Sequence, residues 1–141
     1  MIILDTNVLS EPLRPAPDPR VIAWLDNQVV DTLYLTTITV AEMRFGIAAL
    51  DAGRRRRTLA ARFEDEVMPL FAGRVLPFDE PATRTYAVLR AAARASGQAL
   101  GDFDAVVASI ALAQAFGVAT RDVAPFEVAG VTPLINPFAG D

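Results

Sequence analysis

Short apolar runs alternate along the chain with longer stretches of helical period. Ile2-Ile3-Leu4 is a short apolar run that stops at Asp5, and it predicts a buried strand. Four prolines follow at positions 12, 15, 17 and 19, which predict a surface loop. Arg20 to Gln28 reads as a helix, with Asp18 as its N-cap and Pro19 in its first position. Leu33 to Thr36 predicts a second strand. Val40 to Leu50 then places Met43, Ile47 and Leu50 at helical spacing. Arg55 to Phe71 carries Leu59, Phe63, Val67 and Leu70 on one stripe, and Gly73 ends that helix. Val75-Leu76 is a third strand. Asp79-Glu80-Pro81 opens a helix with Ala82, Tyr86, Leu89 and Ala93 on its apolar side, closed by Gly97. Phe103 to Phe116 is a further helix, whose Ala108, Ala111 and Ala115 imply close packing and which Gly117 should stop. Val118 to Thr120 and Val131 to Leu134 predict the last strands. Such alternation argues an α/β fold with a mostly parallel sheet. No repeat, linker or low-complexity tract interrupts residues 1–141, so one domain is expected.

Composition narrows the chemistry. Hydrophobic residues make up 52% of the 141 and charged residues 21%, enough for a core without staples. There is no Cys and no His, and all thirteen cations are Arg. Thiol nucleophiles, thiolate zinc sites, imidazole bases and ligands, Ser-His-Asp triads and Lys-based phosphate sites are therefore excluded. What remains is carboxylates, hydroxyls, amides and guanidinium groups. A net charge of -4 gives no overall attraction to a polyanion, so nucleic-acid contact would need a local Arg patch or metal ions. No run of 18 apolar residues is present, so no membrane span is expected. Met1 to Asp5 lacks the basic start of a signal peptide, and the cytoplasm is the expected compartment.

In open α/β sheets ligands bind beyond the carboxyl ends of the strands. The first strand runs into Asp5-Thr6-Asn7 and a late one into Thr120-Arg121-Asp122. Glu42 and Asp104 stand at helix starts that should face the same edge. Four carboxylates from four regions would repel one another unless a cation intervenes. An all-oxygen donor set without His or Lys selects a hard ion, Mg²⁺ or Mn²⁺, able to serve phosphodiester hydrolysis. Each acid also has a structural reading. Asp5 suits an Asx-type turn cap. Glu42 closes a capping box with Thr39. Asp104 suits a helix first turn, with Asp102 competing for its place, and Asp122 suits a loop pair with Arg121. The run Arg54-Arg55-Arg56-Arg57 opposes the dipole of the helix it starts. It reads as a solvated helix end or as a phosphate-binding patch, with Arg44 and Arg121 nearer the acids in sequence.

The segments Ile3 to Glu11, Thr39 to Gly46, Leu76 to Asp79, Asp104 to Ala108 and Val118 to Asp122 occur in an order and spacing that resembles PIN-domain ribonucleases of the VapC/FitB toxin type. The resemblance runs from about Ile2 to Phe138. One departure is Val107-Ala108-Ser109, where the family often has Ile-Ala-Ala. The resemblance implies a three-layer α/β/α PIN-like domain with a short, mostly parallel central sheet. It implies a Mg²⁺- or Mn²⁺-dependent endoribonuclease toxin with Asp5, Glu42, Asp104 and Asp122 as the catalytic acids. Asp5 and Asp104 would be the main metal ligands, supported by Thr6, Asn7 and Thr120. RNA as substrate, a small cognate antitoxin and a homodimer are also implied. A mean hydropathy of +0.32, high for a soluble monomer of this size, points toward an interface as well. The rival readings are a catalytically silent PIN-fold interaction module and a receiver-like phosphoacceptor domain. The latter needs a late Lys, which this chain lacks.

Overall fold

The computed structural model describes residues 1–139. Five short strands form one parallel sheet: β1 (Ile2–Leu4), β2 (Leu33–Thr36), β3 (Val75–Leu76), β4 (Gly117–Ala119) and β5 (Leu134–Ile135), in the order β3-β2-β1-β4-β5. All four neighbouring pairs are parallel, so every strand presents its carboxyl end to the same edge. The helices are α1 (Thr6–Ser10), α2 (Pro19–Asp26), α3 (Thr37–Ala48), α4 (Arg54–Arg62), α5 (Glu80–Ala95), α6 (Asp102–Gln114) and α7 (Ala124–Ala129).

Period-two alternation along the strands sends successive side chains to opposite faces. Leu4, Leu35 and Ala119 join Val8, Val21, Met43 and Phe63 in a core beneath α1 to α4. Ile3 and Val118 join Leu89, Ala108, Ala111 and Phe126 in a second core beneath α5 to α7. These two cores, one on each side of a buried sheet, make the expected α/β/α sandwich. Ala105, Ala108 and Ala111 of α6 are fully buried there, as close packing requires, whereas Ala115 is exposed at the helix end and takes no part in it.

Several predicted boundaries move for identifiable reasons. The predicted helix from Arg55 to Phe71 is α4 only as far as Arg62; it then widens into a π turn at Phe63–Val67 and tightens into a 3₁₀ turn at Met68–Phe71. Gly117 does not stop α6. Ala115 ends it in the left-handed conformation at φ 59°, and Gly117 opens β4 instead. A Cβ at Gly117 would lie 2.6 Å from the Pro133 carbonyl oxygen, so glycine serves close approach of the edge strand. The predicted strand at Val131–Leu134 is displaced to Leu134–Ile135, because Pro133 brings no N–H to the ladder. Helix α7 lacked a sequence prediction.

The strand order reverses between β1 and β4, and that position makes the crevice at their carboxyl ends the expected place for a ligand.

Candidate active site

Asp5 is the first residue beyond β1 and the N-cap of α1, its Oδ1 accepting from Thr6 N at 2.9 Å. Its Oδ2 accepts from the Thr120 hydroxyl at 2.8 Å. Thr120 is the residue after β4 and is fully buried. Its Oγ1 also accepts from Asp122 N at 3.1 Å and from Asn7 Nδ2 at 3.4 Å. Asn7 in turn takes Arg121 N on its Oδ1 at 3.0 Å. One hydroxyl thus ties the turn after β1 to the turn after β4.

Glu42 reaches the same crevice from α3. The capping-box expectation for it fails: α3 begins at Thr37, and Thr36 caps it by accepting from Thr39 N at 3.1 Å. Glu42 therefore lies in the second turn. Its Oε1 accepts from the Thr6 hydroxyl at 2.8 Å. Asp104 stands in the first turn of α6. Burial pushes its carboxyl above the usual range, and the charges of Asp5, Asp122 and Glu42 push it further. Asp5 is also raised, by burial first and by Asp122 in addition, against the lowering by the Thr120 hydroxyl and the Thr6 N–H. Asp104 thus feels the charge of the other three acids, and Asp5 feels that of Asp122.

Asp102 does not belong to this group. It turns to α5, where Arg90 Nη2 donates to it at 2.9 Å. Asp122 is not paired with Arg121, whose guanidinium lies over the Phe138 ring at 3.8 Å from its centroid. Among the described residues, none of Asp5, Glu42, Asp104 and Asp122 joins an ion pair, although seven such pairs occur elsewhere.

The donor set fits a hard divalent cation in kind: oxygen only, anionic, partly desolvated and mutually repelling. The carboxylates are not drawn into a closed shell, for among the described residues no group of three or more His, Cys, Asp or Glu stands ready to hold an ion.

The candidate RNA-contacting arginines divide. Arg44 is neutralised by Glu64, donating from Nε at 2.7 Å and from Nη2 at 3.0 Å. Arg56 lines the hollow beside that pair and donates to the Leu50 carbonyl at 3.5 Å. Arg54 and Arg57 are exposed at the start of α4. Arg55 differs, because it lines a hollow of about 320 Å³ whose other walls include Thr6, Arg14 and Glu42. Sequence reasoning did not single out Arg14 or Asn136. Asn136 donates from Nδ2 to the Arg121 carbonyl at 3.4 Å and accepts from Phe138 N at 3.0 Å. It stands just past β5, at the ligand-binding edge, a place hidden in the sequence because the last strand was expected to end at Leu134.

Comparison with known proteins bears on the family and the fold. The PIN domain family matches residues 2–131. The chain is 54% identical over 138 residues to "VapC ribonuclease Y4jK" of Sinorhizobium fredii, covering 98% of each. It is 47% identical to "Toxin FitB" of Neisseria gonorrhoeae, covering 98% of this chain and 99% of that one. The crystal structure of FitAcB from Neisseria gonorrhoeae superposes with a TM-score of 0.94 at 47% identity, covering 98% of this chain and 99% of that chain. With the sandwich, the edge crevice and these relatives in agreement, the chain belongs to the PIN domain family, in its VapC/FitB branch.

Proposed function

We propose that the protein is a Mg²⁺- or Mn²⁺-dependent endoribonuclease and the toxin of a toxin–antitoxin pair. The observation that carries this is the convergence of Asp5, Glu42, Asp104 and Asp122 on one crevice with no protein cation among the described residues to neutralise them. The relatives' names, a VapC ribonuclease and Toxin FitB, support the same reading.

Asp5 and Asp104 would hold the ion. When bound, it would offset charge on the phosphodiester and acidify a water. The chain's own groups do the rest. Thr120 and the Thr6 N–H fix both oxygens of Asp5. The Thr6 hydroxyl fixes Glu42. Glu42 and Asp122 complete the site, and either is suited to accept the proton of the attacking water. Asn7 and Thr120 keep the turn carrying Asp122 in register with Asp5.

A small antitoxin is the proposed partner. An anionic crevice favours a guanidinium as it favours a metal, so the antitoxin should present an Arg there. A homodimer is proposed from the exposed Phe45, Val88 and Phe103, which are 75%, 71% and 60% accessible. Among the described residues no helix is long and apolar enough to cross a membrane.

The test is turnover of RNA by the purified protein with Mg²⁺ or Mn²⁺, with excess EDTA, and by Asp5→Asn. Cleavage should require the ion and vanish in the variant, while both proteins stay folded. Full activity in EDTA, or of Asp5→Asn, would overturn the mechanism. A folded protein that binds RNA but never cuts it would support the interaction-module reading instead.

A further inference from the structure

Beside the acid crevice, at the carboxyl end of β5, lies a second hollow of about 530 Å³. Its walls are Arg20, Ala23, Trp24 and Asn27 of α2 and its end, with Ile135, Asn136 and Pro137 after β5. Its lining is unlike that of the apolar cavity under α1 and α2, where Leu, Val and Phe side chains predominate. Here an indole, two carboxamides and a guanidinium converge in a space of ligand size.

This hollow is joined to the catalytic edge by backbone and side-chain bonds. β4 and β5 pair through Ala119 and Ile135, and Thr120 N donates to the Ile135 carbonyl at 2.9 Å. Asn136 is held against the Arg121 carbonyl, one residue from Asp122. A strand lying across Asp5 and Asp122 therefore meets this hollow on the β5 side of the crevice.

The groups present suit a nucleobase. Trp24 is half-buried and offers an aromatic surface, and single-stranded bases stack on such surfaces regardless of sequence. Asn27 is exposed, and among the described residues its side chain makes no hydrogen bond, so its donor and acceptor are both free to meet a base edge. Arg20 is held in place by Asp18, its Nε donating at 3.0 Å and its Nη2 at 2.6 Å. The pair leaves Arg20 neutralised, but a guanidinium carries five N–H donors, so those not on Asp18 remain for a base oxygen. We propose that this hollow is a nucleobase subsite, which takes one unstacked base of the single-stranded RNA whose phosphodiester lies at the acid crevice. The proposal rests on the ribonuclease reading and adds to it where a neighbouring base is held.

Trp24 is the only tryptophan of the chain, so its fluorescence reports this hollow alone. The experiment titrates the protein in EDTA, where the proposed mechanism allows no turnover, with a short single-stranded RNA. Two signals are recorded together: Trp24 emission, and anisotropy of a dye on the RNA. Binding should change Trp24 emission saturably, with the same midpoint as the anisotropy. Asn27→Ala and Arg20→Gln alter exposed side chains, and each should weaken binding several-fold, up to about tenfold for the lost base contact. In the presence of metal both variants should still cut RNA, with an altered preference for the base beside the cut. RNA binding with unchanged Trp24 emission, and with both variants binding as wild type, would overturn the subsite and leave the ribonuclease reading standing. Neither binding nor cleavage by the wild-type protein would overturn both. A Trp24 response to an added antitoxin but not to RNA would make the hollow a protein interface and refute the proposal.

Discussion

Thr120→Val tests how the site is held together. The replacement keeps the volume and the β-branch but deletes the hydroxyl. That hydroxyl donates to Asp5 Oδ2 at 2.8 Å and accepts from Asp122 N at 3.1 Å, and the residue is wholly buried. A hydrogen bond to an ionised group contributes about 1.5–3 kcal/mol and a neutral one about 1 kcal/mol. The metal-free protein should therefore lose about 3 kcal/mol at neutral pH. For a chain of this size that is a fall in Tm of roughly 10 °C. Thr120→Ser keeps the hydroxyl and loses one methyl, which costs about 1 kcal/mol. The deficit of the Val variant should also depend on pH. The hydroxyl lowers the Asp5 pKa, so its loss raises that pKa further. The deficit is full above the variant's Asp5 pKa and shrinks as pH falls through it, because a neutral carboxyl needs the donor less. Urea denaturation in EDTA at neutral and acid pH measures both effects. If Val destabilises no more than Ser, or if its deficit is equal at both pH values, the hydroxyl is not the tie between the two turns.

Further outcomes are expected. In EDTA the wild-type protein should gain stability as pH falls from neutrality to the upper edge of the carboxylate range. Asp5 and Asp104 have raised folded pKa values, so the folded state takes up protons first; Asp5→Asn should flatten this rise in a Tm-against-pH series. Glu42→Gln should lower RNA cleavage far more than Tm, since Thr36 rather than Glu42 caps α3; equal Tm loss with unchanged cleavage would refute this. Gly117→Ala should destabilise by about 1–3 kcal/mol by pressing a methyl on Pro133, seen as a lower urea midpoint. Arg55→Gln should reduce the slope of log RNA affinity against log salt by about 0.7, whereas Arg56→Gln should leave it unchanged.

Elements with strong local punctuation were legible in the sequence. β2 appears with both ends where the apolar run placed them, and α2 and α5 start at the caps Asp18 and Asp79. Asp5 was legible because a strand that stops at an acid in a parallel α/β pattern leaves that acid at the ligand-binding edge, and Asp122 because it lies in the turn just past β4. Tertiary contacts decided the rest. Thr36 and Thr39 are both plausible caps by type, and Thr36 wins because β2 runs into it directly. The four consecutive arginines are equivalent in sequence. Only the docking of α4 beside α3 turns Arg55 toward Glu42 and Arg56 toward Arg44 and Glu64. Asn136 was illegible because Pro133 displaces the last strand, and the edge position moves with it.

The distribution of charge explains why the crevice suits a cationic occupant. Among the described residues seven arginines, at 14, 20, 44, 62, 74, 84 and 90, sit in ion pairs with acids outside the site. Arg121, next to Asp122 in sequence, is drawn onto the Phe138 ring instead of the acids. Among the described residues no arginine forms an ion pair with the four carboxylates, although Arg14 and Arg55 wall the hollow beside Glu42, and Asp5 and Asp104 bear the repulsion and desolvation. Repulsion of this kind lowers the stability of the empty protein and is relieved by any ligand that brings positive charge. Binding to the folded state alone then stabilises by an amount set by ligand concentration over Kd. A divalent ion and an Arg from a partner protein would draw on the same four carboxylates, so each would weaken the other's binding by the same factor. On the proposed function, inhibition by a partner and activation by a metal would be two occupancies of one charge cluster.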